Sequence, residues 1–117
     1  MLVVEDEPFL RLAAADIAND AGLGAVEACD ADEALSILEG RDDICLVFTD
    51  VQMPGSMDGF GLACLVRRRW PQMAIIITSG CACPTTEALP SDATFVPKPY
   101  EPGFLIPAFR KAAASCP

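Results

Sequence analysis

Histidine is absent from all 117 residues. Its absence removes Ser-His and Cys-His nucleophile pairs, imidazole metal sites and any histidine general base. Basic residues are scarce as well. Eight Lys and Arg stand against seventeen Asp and Glu, for a net charge of −9. Such a chain is not expected to bind nucleic acid directly, because phosphate neutralisation needs a basic surface. The cluster "RRRW" at 67–70 reads as a solvated helix end. No apolar run approaches the roughly 18–20 residues of a membrane span. "MLVV" is too short for the apolar core of a signal peptide and has no basic lead-in. A soluble, cytoplasmic chain with no membrane partner is expected. Repeats, low-complexity tracts and linkers are also missing, so residues 1–117 read as one domain with a single core.

Six cysteines are present, at 29, 45, 64, 81, 83 and 116. Three sit inside apolar-periodic segments, where a thiol is expected to act as a small buried hydrophobe. Cys81-x-Cys83 has no second Cys pair and no His at ligand spacing, which argues against zinc. Reduced thiols are the expected state.

The chain alternates short apolar runs with helix-like segments. "LVV" (2–4) is a strand, and Pro8 suits the first turn of the helix that follows. Phe9, Leu10, Ala13, Ile17 and Ala21 fit a helical stripe that Gly22 and Gly24 end. "AVEAC" (25–29) alternates as a strand does. Asp30 and Glu33 then form a loose capping box for a helix buried through Ala31, Ala34, Leu35 and Leu38. "ICLVFT" (44–49) and "MAIIIT" (73–78) are continuous apolar strands, the kind buried on both faces of a parallel sheet. Residues 59–70 between them read as a helix. "TFVP" (94–97) is a fifth strand, and residues 100–115 form a last helix that Pro107 is expected to break. Five β-α repeats predict a parallel sheet with helices on both faces.

In such sheets a site forms beyond the carboxyl ends of the strands. Glu5 and Asp6 follow the first strand, and Asp50 follows the third. Thr78, Ser79 and Gly80 follow the fourth, and Lys98 follows the fifth, between two prolines. Carboxylates gathered in one crevice repel one another, by about 4 kcal/mol for two charges at 4 Å in a medium of dielectric 20. A divalent cation relieves that repulsion, and a few hard oxygen ligands suit Mg²⁺. An acidic cluster with Mg²⁺, a lysine and a hydroxyl has the parts for phosphoryl transfer.

"VVEDEP", "FTDVQMPGSMDG", "IIITSG" and "FVPKP", in this order and spacing, resemble the receiver domain of two-component response regulators over nearly the whole chain. The resemblance implies a flavodoxin-like doubly wound (βα)5 sandwich with strand order 2-1-3-4-5. It implies that Asp50 is the phosphoacceptor, taking a phosphoryl group from a histidine kinase or histidine phosphotransfer protein. The absence of histidine agrees, since the donor must then come in trans. Asp6 matches the principal Mg²⁺ ligand and Glu5 its acidic neighbour. Asp50 itself and the backbone carbonyl of Gln52 complete the implied metal ligands. Lys98 matches the lysine that pairs first with the acceptor carboxylate and then with the phosphoryl group, with a cis peptide to Pro99. Ser79 matches the switch hydroxyl and Phe95 the switch aromatic. Thr78 is a rival to Ser79, disfavoured because Gly80 supplies the small residue that follows the hydroxyl in this family. Strand alternation also sends Thr78 to the face opposite Ser79.

The implied activity is that of a signalling domain rather than an enzyme, catalysing only its own phosphorylation and dephosphorylation. It acts on a downstream protein target through changed contacts, and no output domain is expected in this chain. Residues 81–92 leave little room for a normal fourth helix, which is expected to be short or irregular. A pseudo-receiver that binds partners without phosphorylation is the alternative, and the presence of Asp50, Asp6 and Lys98 argues against it. A haloacid-dehalogenase-type phosphatase needs an Asp where Gln52 stands. A flavodoxin-type FMN carrier needs a Ser/Thr-rich loop where "EDEPF" stands.

Overall fold

Among the described residues the apolar runs form five strands, and four helices accompany them. The computed structural model describes residues 1–51, 57–79, 93–98 and 101–114. The order is β1 (Leu2–Val4), α1 (Pro8–Asp20), β2 (Val26–Ala28), α2 (Ala31–Gly40), β3 (Leu46–Asp50), α3 (Gly59–Arg69), β4 (Ala74–Ser79), β5 (Thr94–Pro97) and α4 (Pro102–Ala114). All strands pair in parallel, in the order β2-β1-β3-β4-β5. The expected fourth helix, Gly80, Cys81, Cys83, the Gln52 carbonyl and the Lys98–Pro99 peptide lie outside the described residues. None of the described helices is long and apolar enough to cross a membrane.

Strand alternation divides the core in two. Val3, Leu46, Phe48, Ile76 and Val96 face α1 and α4, meeting Ala14, Ile17, Ala18, Leu105 and Phe109. Val4, Val47, Ile75 and Ile77 face α2 and α3, meeting Ala34, Leu38, Leu62 and Val66. With both faces covered, β3 and β4 have no polar side in their centres, which is why they read as unbroken apolar runs. The Phe48 and Phe109 rings meet edge to face at 5.2 Å, fastening α4 to the middle of the sheet.

Three expectations change. The buried stripe of α1 is Ala14, Ile17, Ala18 and Ala21, whereas Phe9, Leu10 and Ala13 are exposed. Alanines lie against the sheet because they let the helix axis come close, so the largest apolar residues do not mark the inner face. Pro107 does not break the last helix, which runs through it from Pro102 to Ala114. The proline lies only six residues into the helix, so it forfeits one early backbone bond to Gly103, and the fully buried Leu105 and Phe109 hold both sides of it. Cys29 and Cys64 lie on the surface and Cys45 is half-buried. All three are thiols rather than disulfides, but they are not core residues.

The capping signals hold. The Asp30 carboxylate accepts from the Glu33 amide at 2.8 Å, and Glu33 accepts in return from the Cys29 amide at 3.0 Å. Gly22 and Gly24 take left-handed conformations after α1, at φ 84° and 51°.

Candidate phosphoacceptor site

Because every strand runs the same way, all five carboxyl ends lie along one edge of the sheet. Chain order reverses between β1 and β3, and Glu5 and Asp50 flank that switch point. Backbone bonds extend the ladder just past the strands, from Glu5 N to Ala28 O, Val51 N to Thr78 O and Lys98 N to Ser79 O, each 3.0 Å. The roots of the site are thus fixed by the sheet itself.

Lys98 leaves the end of β5 and crosses β4 to reach its partners. Its Nζ lies 3.1 Å from Asp50 Oδ2 and 3.3 Å from Glu5 Oε2. Both carboxylates are buried, at 4 % and 3 % exposure, and Lys98 is mostly covered. Asp6 is exposed beside them, and one carboxylate oxygen from each of Glu5, Asp6 and Asp50 falls within a 4.8 Å cluster.

One ammonium against three carboxylates leaves this cluster negative. Burial and this charge together push the Glu5 pKa up from 4.5 to about 7. Burial is the largest cause and the Asp50 charge the next; Lys98 and the Glu7 amide oppose them. Burial alone would lower the Lys98 pKa, but the hydrogen bond to Asp50 and the two carboxylate charges raise it, so the ammonium stays protonated. The donors are all oxygen, with net negative charge and one ligand facing solvent. They fit a hard divalent cation such as Mg²⁺, which keeps several of its waters.

Two supporting residues were not singled out by the sequence. Arg11 donates from Nη1 to the Glu5 carbonyl at 3.0 Å, while its Nε meets Glu27 Oε1 at 3.3 Å, tying the end of β1 to β2. Gly59 opens α3 with its amide on the Val51 carbonyl at 2.8 Å. A side chain there would collide with the Asp50 carbonyl oxygen and stand 2.7 Å from its carbon. The signal was available for Gly59: glycine is a poor helix former, and its place at a helix start calls for a steric reason.

Ser79 and Phe95 lie on the same side of the sheet. Phe95 pairs in register with Ile77, on the α2–α3 face, and Ser79 follows by alternation. Thr78 pairs with Asp50 itself, on the α1–α4 face. Alternation does separate the two hydroxyls, but it puts Thr78, not Ser79, on the face of Asp50. The preference for Ser79 therefore rests on its shared face with Phe95 and on the glycine after it.

The comparisons with known proteins identify the family. The family model for the response regulator receiver domain matches residues 1–110. The response regulator protein FleR of Pseudomonas aeruginosa is 35 % identical over 109 residues, 91 % of this chain and 23 % of that protein. The sensor kinase CckA of Brucella abortus is 36 % identical over 104 residues, 86 % of this chain and 11 % of that protein. The chain therefore spans less than a quarter of the length of either relative. The crystal structure of the receiver domain of NtrX from Brucella abortus superposes with a TM-score of 0.84 at 32 % identity, covering 97 % of each chain. With its sheet order, the acidic edge and these matches in agreement, the chain belongs to the response regulator receiver domain family.

Proposed function

We propose that this domain accepts a phosphoryl group on Asp50 from a phosphohistidine of a partner kinase or phosphotransfer protein, and that the change alters its contacts with a downstream protein. The observation that carries the reading is Lys98 Nζ, held between Asp50 and Glu5 at 3.1 and 3.3 Å across the end of β4. An acceptor carboxylate paired with a fixed ammonium beside further acidic groups suits the transfer of an anionic group.

In the transfer, an Asp50 carboxylate oxygen attacks phosphorus and forms the P–O bond of an acyl phosphate. The P–N bond breaks, and its electron pair returns to the donor imidazole. Lys98 offsets charge on the phosphoryl oxygens as it lets go of the carboxylate. Glu5, Asp6 and Asp50 would hold Mg²⁺, with the Gln52 carbonyl as a further ligand implied by the family; the cation supplies charge neutralisation for the carboxylates and the incoming oxygens. Ser79 serves as the hydroxyl that bonds the attached group. Phe95 follows it on the same face, and having no hydroxyl of its own it registers the change through apolar burial.

Intact mass after incubation with acetyl phosphate and Mg²⁺ tests the proposal. One added phosphoryl group is expected, dependent on Mg²⁺ and absent in Asp50→Asn. No gain, under conditions that modify a control receiver, would replace this reading with that of a pseudo-receiver.

A further inference from the structure

Thr78 poses a question that the phosphoacceptor site leaves open. It is 1 % exposed, and its Oγ1 is a buried polar atom with no hydrogen-bond partner among the described residues. Strand propensity and packing do not call for that oxygen, because Val has the same shape and an equal preference for β structure. A buried hydroxyl without a partner loses its hydration and gains nothing in return. Its address narrows the explanation. Thr78 is the register partner of Asp50, and the two project from the same face as Phe48, Ile76 and Val96. Lys98, two residues beyond Val96 on that face, must cross the end of β4 to reach Asp50 and Glu5. The orphaned hydroxyl thus stands at the foot of the acceptor, beside the path of the lysine.

We propose that Thr78 is a positioning residue for the phosphorylated acceptor: its hydroxyl donates to the acyl oxygen of Asp50 that Lys98 releases when the ammonium turns to the phosphoryl group. The inference rests on the reading of Asp50 as phosphoacceptor. In the unmodified protein the ammonium serves the carboxylate and the hydroxyl goes without. In the modified protein the lysine is drawn away and the hydroxyl takes its place. An interaction made in only one of two states shifts the equilibrium toward that state. Thr78 would then favour phosphorylation at the expense of the resting fold, in contrast to Ser79, which lies on the other face with Phe95.

The two effects have opposite signs, and a residue serving only to pack would not separate them. Beryllofluoride, a stable stand-in for the phosphoryl group, is titrated with Mg²⁺ into the full chain by calorimetry. Wild type, Thr78→Val and Thr78→Ser are compared. Thr78→Val is expected to bind about fivefold more weakly, the worth of one net hydrogen bond, while its unmodified form melts at a higher temperature. Thr78→Ser keeps the hydroxyl and is expected to bind within about twofold of wild type. Equal binding by wild type and Thr78→Val would overturn the proposal, as would failure of Thr78→Ser to restore binding. If wild type binds no beryllofluoride and gains no phosphoryl mass, the reading of Asp50 fails and this inference with it. If wild type binds and only the predicted difference is missing, the inference alone fails.

Discussion

Glu5 shows how a single residue carries the electrostatics of the site. In the folded chain it holds its proton up to about pH 7, whereas the unfolded chain releases it near 4.5. Between those values the folded state binds more protons than the unfolded state. Stability of the metal-free protein should therefore fall as pH rises from about 4.5 to about 7, then level off. Below 4.5 the carboxyl is neutral in both states and costs nothing. Urea midpoints across this range, without divalent cations, measure the slope, and Glu5→Gln should flatten it. A slope of the opposite sign would mean that Lys98, rather than burial and Asp50, governs Glu5.

Among the elements, α3 starts against the end of β3, with the Gly59 amide on the Val51 carbonyl. Gly59 lies against the backbone of Asp50 and Val51, so Gly59→Ala must push either the helix or Asp50 aside. Overpacking of this kind costs about 1–3 kcal/mol. The expected outcome is a lower urea midpoint together with slower mass gain from acetyl phosphate. The start of α2 is a contrasting case, remote in role from the site. Asp30→Ala removes the cap to Glu33 and should cost about 1 kcal/mol by the same urea measurement, with phosphorylation unchanged. The α1 stripe shows why element faces are harder to read than element existence. Period 3.6 located the helix, but its inner face is alanine-rich. Phe9 and Leu12 stand out in solvent at 82 % and 55 % exposure, a placement that hydrophobicity alone would not choose.

For the molecule as a whole, a cation held at the acidic edge would link metal binding to stability. A ligand that binds only the folded state stabilises it by about 2.7 kcal/mol at one hundred times its dissociation constant. Mg²⁺ should therefore raise the melting temperature, and should do so more at pH 7.5 than at pH 5, where Glu5 keeps its proton. Asp6→Asn should remove most of that rise with little effect on the metal-free melt, because Asp6 is exposed and buries nothing. Calorimetric scans with and without Mg²⁺ provide the check. A rise that survives Asp6→Asn would move the cation site elsewhere.

By itself the sequence determined the alternation of strand and helix, the caps at Asp30 and at Gly22, and the acid, hydroxyl and lysine that follow the strands. These are local matters: periodicity, turn chemistry and the residue after an apolar run are written within a few positions of one another. Together with the motif resemblance they were enough to read the sheet order and to single out Asp50, Asp6 and Lys98. Only the tertiary structure decided what depends on distant residues meeting. Lys98 reaches Glu5 from 93 positions away, and the raised pKa of Glu5 follows from burial and from the Asp50 charge, with Lys98 opposing both. Gly59 is required by a backbone nine residues earlier, and Thr78 shares a face with Asp50 through register. The tolerance of Pro107 depends on Leu105 and Phe109 finding the sheet. Burial and register are properties of the assembled sheet, and no short stretch of the chain contains them.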